Sequence, residues 1–199
     1  MRIFRLLILF FLTCPFLAVA QESNISGHFG IKAGPSVTTL RVSGITPNSP
    51  RRKFDYHLGG MYRLRLNQFV IQPEVLISLK GGTFVTERVG GRQTTRNNFN
   101  YLSVPVMFGY IPTEGITLQV GPEFSYAFDT PNGPGRKQDI GLAVGAHYDF
   151  LDMLDKFSLQ LRYVYGLKNV APPSDPALNV DYRNRVLQLS IVYNFYKKK

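Results

Sequence analysis

Apolar and polar residues alternate along most of this chain. From 116 to 128 every second position is apolar or aromatic apart from one proline: Ile116, Leu118, Val120, Pro122, Phe124, Tyr126 and Phe128. Between them stand Thr117, Gln119, Gly121, Glu123, Ser125 and Ala127. A period of two means an extended strand with one oily and one polar face. The same pattern recurs. Phe29, Ile31 and Ala33 alternate with Gly30, Lys32 and Gly34. Phe54, Tyr56, Leu58, Tyr62 and Leu64 stand against Asp55, His57, Gly59, Arg63 and Arg65. Phe69, Ile71, Val75, Ile77 and Leu79 oppose Gln72, Glu74, Ser78 and Lys80. Further runs centre on Val104 and Phe108, on Leu142 and Val144, on Leu159 and Leu161, and on Leu189 and Ile191.

These eight runs are mostly of roughly nine to thirteen residues, where soluble strands average about five or six and a tilted strand needs about 9–11 to cross a bilayer. Connections alternate in length. Residues 67–68, 111–115 and 151–156 form short links, whereas 41–53, 81–98, 129–137 and 168–181 are longer and rich in Gly, Pro, Asn and charge. All long loops then fall at one end and all short turns at the other. The expectation is an all-β fold, an eight-stranded antiparallel up-and-down transmembrane β-barrel with strands within residues 27–195, short turns inside and long loops outside. An even strand count closes the sheet, and hydrocarbon tolerates no open edge. Pro35, Pro73, Pro105 and Pro122 fall inside the runs. Each removes a ladder donor, so each predicts a bulge, a kink or a shorter strand.

The amino terminus sets the compartment. Arg2 and Arg5, the apolar run 6–12, and Ala18-Val19-Ala20 before Gln21 read as a cleavable secretory leader over residues 1–20, leaving 21–199 as the barrel domain. The alternatives are a membrane anchor and, through Cys14, a lipid-modified cysteine. Arg5 and Pro15 interrupt the apolar stretch, and Thr13 is bulkier than the small residue such a cysteine requires before it. Cys14 is the only cysteine, so the mature chain carries none and no disulfide. The chain has 23 Lys and Arg against 13 Asp and Glu. In an exported protein that excess fits solvated loops or anionic lipid headgroups, including lipopolysaccharide, and not nucleic acid. Mean hydropathy is −0.06. Alternating faces cancel in such an average, so it does not argue for a soluble globule.

An eight-stranded lumen is just wide enough for side chains to fill. The polar face carries Asp55, His57, Arg63, Arg65, Gln72, Glu74, Lys80, Gln119, Glu123, Asp139, His147, Asp149, Gln160 and Arg162. Isolated ions there are costly. The expectation is a structural salt-bridge network of Arg63, Arg65, Glu74, Glu123 and Arg162 that plugs the bore. An ion- or proton-conducting lumen is the functional alternative. Catalytic and metal sites find little support. His28, His57 and His147 show no ligand spacing. His57 with Asp55, or His147 with Asp149, could serve as a base, and Ser103 or Ser125 as a nucleophile, but nothing in the sequence fixes such a geometry and inward polar filler is the favoured reading. No cofactor is called for.

Several stretches resemble a known family. FGIKAGPSVTTL, FVIQPEVLISLKGG, YLSVPVMFGYIP, LQVGPEFSYAF, DIGLAVGAHYDF, LQLRYVYGLKNV and NRVLQLSIVYNF occur in an order similar to that of the PorT-like outer-membrane β-barrel family of Bacteroidota. The resemblance covers nearly the whole mature chain. It implies an eight-stranded barrel in the outer membrane, inserted by the barrel-assembly machinery. For most members it implies no known activity; PorT itself is linked to secretion and gliding. A departure is the tail 196–199, which follows the aromatic Phe195 at which such assembly signals often end.

The combined expectation is a non-enzymatic structural or interaction barrel, with secretion-system or surface proteins as partners. Alternatives are a small channel, a lipid-modifying outer-membrane enzyme, or a soluble ligand-binding barrel with the oily face inward. Periodicity alone does not say which face is inside.

Overall fold

The side chains divide between two environments, and the division settles the inside–outside question. A computed structural model describes residues 25–43, 49–88, 91–129, 137–150, 154–169 and 181–195. The expected leader (1–20, with Arg2, Arg5 and Cys14) and the tail 196–199 lie outside the described residues, as does the side chain of Lys80. Oily positions face outward: Phe54 is 80% exposed and Ile191 61%. Their polar neighbours in sequence face inward, with Gln72 and Gln160 at 0% and Arg162 at 1%. This overturns the reading of a soluble barrel with an apolar interior.

The strands are β1 (Ile25–Ser43), β2 (Ser49–Arg51), β3 (Lys53–Leu66), β4 (Phe69–Arg88), β5 (Gly91–Thr113), β6 (Ile116–Asp129), β7 (Gln138–Asp149), β8 (Phe157–Gly166) and β9 (Asp181–Phe195). Around the ring the order is β4-β3-β1-β9-β8-β7-β6-β5, and pairing of β4 with β5 closes it. Every pairing is antiparallel. Eight strands therefore form the closed barrel. The three-residue β2 lies apart from it, pairing Ser49–Arg51 against Thr83–Val85 of β4. The β3–β4 turn is two residues, and Asn67 takes φ 56°, a left-handed conformation that Asn tolerates.

One expected loop is not a loop. Residues 81–98 continue the β4–β5 ladder, pair by pair, to Arg88↔Gly91. The alternation that marks a strand within the bilayer ends near Leu79 in the sequence, whereas the ladder continues beyond it. At the opposite end β5 runs on to Thr113, which shortens the expected 111–115 link to a turn at Glu114-Gly115.

The prolines sit where the ladders skip. Pairing of β1 with β9 passes from Ala33↔Ile191 to Ser36↔Gln188, leaving out Pro35. Pairing of β3 with β4 passes from Met61↔Glu74 to Leu64↔Ile71, leaving out Pro73. Pro105 falls in a skip between β4 and β5, and Pro122 in one between β5 and β6. Each proline keeps its register with the neighbour on its other side. A missing N–H is thus aimed where no ladder bond is made. The glycine before two of them allows a close approach. A Cβ on Gly34 would lie 1.9 Å from the Leu189 carbonyl oxygen, and one on Gly121 2.0 Å from that of Val106. Glycine kinks of this kind bend a sheet into a narrow barrel.

Aromatic rings gather at the short-turn end. Phe29 packs on Tyr62 at 4.8 Å, Phe69 on Tyr110 at 5.7 Å, Phe157 on Tyr193 at 5.3 Å, and Tyr193 on Phe195 at 5.2 Å, measured between centroids. Tyr148 of β7 packs on Phe150 at the same end. A second group, with Phe54, Tyr56, Tyr126, Phe128, Tyr163 and Tyr165, is exposed toward the long-loop end. Two girdles with aliphatic residues between them match the interfaces of a bilayer.

Candidate functional site

Inward side chains from facing strands fill the bore in tiers, because each strand presents a residue inward at every second position. The middle tier is a closed ring of hydrogen bonds. Lys32 of β1 donates to Gln160 Oε1 of β8 at 2.8 Å, and Gln160 Nε2 donates to Gln119 Oε1 of β6 at 2.7 Å. Gln119 Nε2 donates to Gln72 Oε1 of β4 at 3.1 Å, and Gln72 Nε2 donates to Glu74 Oε1 at 2.7 Å. Glu74 completes the circuit by accepting Lys32 Nζ at 2.6 Å. Arg162 of β8 binds the same carboxylate through both terminal nitrogens, with Nη1 donating to Oε2 at 2.8 Å. Lys32, Glu74 and Arg162 are all buried. Two cations on one anion, tied to a belt of amides, form a septum across the lumen.

The inner tier, near the short turns, is built on Asp149. Arg63 pairs with it at 3.3 Å and donates to Thr117 Oγ1 at 2.6 Å. Ser158 donates to Asp149 Oδ1 at 2.6 Å, and His147 Nε2 lies 3.0 Å from that oxygen. Asn194 Nδ2 donates to Ser158 Oγ at 2.7 Å, and His28 lies 3.2 Å from Asn194 Oδ1.

Above the septum the polar groups form shorter chains. Ser78, Ser103 and Ser125 are joined hydroxyl to hydroxyl at 3.3 Å and 2.8 Å, and Ser125 donates to Glu123 Oε1 at 3.3 Å. His57 Nε2 bonds Ser190 Oγ at 2.7 Å, Asn184 donates to Asp139 at 2.7 Å, and Lys53 pairs with Asp55. Met107, Ala143, Val164 and Val186 make a small apolar cluster beside these chains. On the wall made by β3, β1 and β9, Asp55 Oδ2, His57 Nδ1, Ser36 Oγ, Thr38 Oγ1 and Gln188 Oε1 are buried without a protein hydrogen-bond partner. Arg162 Nε in the septum and His147 Nδ1 in the inner tier are each unpartnered too, but most such atoms lie in the outer half of the bore, which is thereby suited to water.

Of the residues expected in the network, Glu74 and Arg162 meet directly, and Arg63 stands a tier below on Asp149. Glu123 belongs to the serine chain above. Arg65 is corrected out of it: it is exposed at the end of β3 and donates Nε to the Asn67 carbonyl at 2.9 Å. It shares the inward parity of Arg63 but lies beyond the enclosed part of the bore. Lys32, the second cation on Glu74, was not expected. Its place between Ile31 and Ala33 on an alternating run was the available signal. The glutamine ring was likewise missed as a unit.

The catalytic candidates are not arranged for nucleophilic chemistry. His57 bonds Ser190 rather than Asp55, and Ser103 and Ser125 bond each other. Where Ser158, Asp149 and His147 meet, the carboxylate lies between hydroxyl and imidazole. A serine nucleophile needs the imidazole in the middle. Among the described residues no three His, Cys, Asp or Glu side chains are grouped to hold a metal ion.

Comparisons with known proteins agree with this architecture. A family model described as "Outer membrane protein beta-barrel domain" matches residues 19–171. The outer membrane protein OprG from Pseudomonas aeruginosa is similar in structure, with a TM-score of 0.54 at 12% identity over 86% of this chain and 97% of that one. Ail, the attachment invasion locus protein of Yersinia pestis, solved with the heparin analogue sucrose octasulfate, gives 0.50 at 18% identity over 85% and 99%. At such identities the likeness is one of fold. No curated protein matches the chain in sequence.

Proposed function

Because the chain belongs to the outer membrane protein beta-barrel domain family and resides in the outer membrane, we propose that it is a plugged, non-enzymatic barrel whose working surface is its outer end. The observation that carries this reading is the septum of Lys32, Glu74 and Arg162 with Gln72, Gln119 and Gln160. A permeating ion would have to break charge-assisted bonds that are buried. The β4–β5 hairpin, paired as far as Arg88↔Gly91, supports a role in display, since it offers a paired ribbon beyond the belt. The resemblance to PorT-like proteins adds a partner class: secretion-system or surface proteins that bind this end, or the rim.

Planar-bilayer recording on the refolded protein tests the plug. The expected trace is silent, and unitary steps from correctly folded wild type would overturn it. Crosslinking in cells followed by detergent extraction tests the interaction half. Expected are specific adducts through the hairpin, lost when residues 84–95 are replaced by a two-residue turn.

A second reading is favoured by the unpartnered atoms of Ser36, Thr38, Asp55, His57 and Gln188. It is a blind, hydrated vestibule open at the outer end and stopped at the septum. Such a vestibule gives no steady current and fits the same silent trace. A lipid-modifying role is tested by mass spectrometry of lipid A from strains with and without the protein, with identical spectra expected.

A further inference from the structure

Asp55 and His57 stand two residues apart on β3, and both side chains point into the outer half of the bore. Equal parity on a strand puts their Cα atoms about 6.6 Å apart on one face. Each side chain has one polar atom engaged and one without a protein partner. Lys53 holds Asp55 Oδ1, and Oδ2 is unpartnered. His57 Nε2 reaches Ser190 Oγ at 2.7 Å across Gly34, which has no side chain to stand in the way, and Nδ1 is unpartnered. The tautomer with its proton on Nε2 gives that proton an acceptor, so Nδ1 presents a lone pair. Beside Asp55 in register come Ser36 of β1 and Gln188 of β9, whose Oγ and Oε1 are unpartnered as well. All four residues are buried.

From this arrangement we infer that Asp55 Oδ2 and His57 Nδ1 bind a divalent transition-metal ion of the zinc class on the outer side of the septum. A metal-bound imidazole donates its other ring N–H to an oxygen, and a metal-bound carboxylate is hydrogen-bonded in turn. Ser190 and Lys53 meet both conditions within the chain. The imidazole nitrogen sets the class of ion, since magnesium and calcium take oxygen ligands. Ser36 Oγ, Gln188 Oε1 or water completes a four-coordinate shell. A ligand as large as a sugar does not fit among side chains this deeply buried, whereas a bare ion does. The septum does not repel the ion outright. Lys32 and Arg162 act on the His57 ring, and so do Glu74 and Glu123, two charges of each sign. The inference rests on the vestibule reading, because the ion enters from the outer end.

Cobalt(II) titration of the folded full chain tests this, in a Cys14→Ser background that removes the only thiol. Expected is one equivalent bound, with the visible absorption of a four-coordinate site, displaced by zinc and not by magnesium. Asp55→Asn and His57→Gln each weaken binding by roughly tenfold or more, as loss of a ligand requires. Ser190→Ala keeps both ligands and removes only the bond that orients the ring. It weakens binding by about 10–100-fold, so the inference remains testable if a ligand variant does not fold. No saturable cobalt binding, or equal binding by wild type and these variants, overturns it. Binding that survives His57→Gln and is lost in His147→Gln places the ion in the inner tier and overturns it too. A Thr38→Cys variant in the same background reports on the vestibule separately, through its reaction with a small water-soluble thiol reagent. Reaction there without metal binding by the parent chain leaves the vestibule standing and overturns the metal site. Absence of both overturns the two readings together.

Discussion

Replacing Glu74 by Gln keeps the shape of the septum and removes its single anion. Four donors converge on this carboxylate: Lys32 Nζ, both terminal nitrogens of Arg162, and Gln72 Nε2. An amide accepts through one oxygen only and turns its own NH2 toward donors. Two buried cations lose the carboxylate they share, and Glu123 is the acid that remains near them. Removing one partner of a buried pair costs about 3–5 kcal/mol. At about 1.4 kcal/mol per factor of ten, the unfolding equilibrium shifts between about a hundredfold and a few thousandfold. Urea titration of protein folded into vesicles measures this, with the folded fraction read from the fast-migrating band of unboiled samples. The triple change Lys32→Met, Glu74→Gln, Arg162→Met serves as control. It removes the stranded charges and is expected to recover most of the loss, since buried ion clusters are often replaceable by apolar groups. If Glu74→Gln alone stays within about 0.5 kcal/mol of wild type, the cluster behaves like a solvent-screened surface pair. The septum argument then fails, and with it the reason to expect a silent bilayer.

Three further expectations use the same titration. Val144→Arg places a charge on the lipid-facing wall between the girdles, and its expected loss is about 2–4 kcal/mol; no loss there would mean that this face is not in lipid. Gly121→Val drives a Cβ to within 2.0 Å of the Val106 carbonyl oxygen and is expected to abolish the folded band, whereas Gly60→Ala, whose Cβ meets nothing nearer than 3.9 Å, is expected to fold. Arg65→Ala removes only an exposed contact to the Asn67 carbonyl and should stay within about 0.5 kcal/mol of wild type. Arg63→Ala strands Asp149 and should lose several times that, and equal effects would show that the two arginines share one environment.

What the sequence made legible follows from what a strand repeats. Alternation is local, so residues 116–128 are readable as a strand from their own pattern, and β6 spans Ile116–Asp129. Alternation also depends on having two different environments. Backbone pairing alone leaves no such pattern, and the outer part of the β4–β5 hairpin reads as a Gly-rich loop although its ladder continues to Arg88↔Gly91. Prolines were legible as exceptions but not as solutions. Their tolerance depends on the neighbouring strand, and no single run shows that Pro35 is aimed at the skip between Ala33↔Ile191 and Ser36↔Gln188.

The interior is harder to read for a related reason. Parity assigns a side chain to the bore, but which inward residues meet across it depends on register summed over several strands. Arg63 and Arg65 have the same parity on β3, yet one is enclosed on Asp149 and the other caps a turn. Lys32 and Gln160 are 128 positions apart in sequence and 2.8 Å apart in space. A ring that passes through β1, β8, β6 and β4 has no signature in any one segment. Composition still limits what the ring can be. An enclosed bore that presents Lys32 and Arg162 must also present an acid between them, and at that level the acid is Glu74. Charge balance therefore predicts that the bore contains pairs, while the cross-barrel register decides which pairs they are.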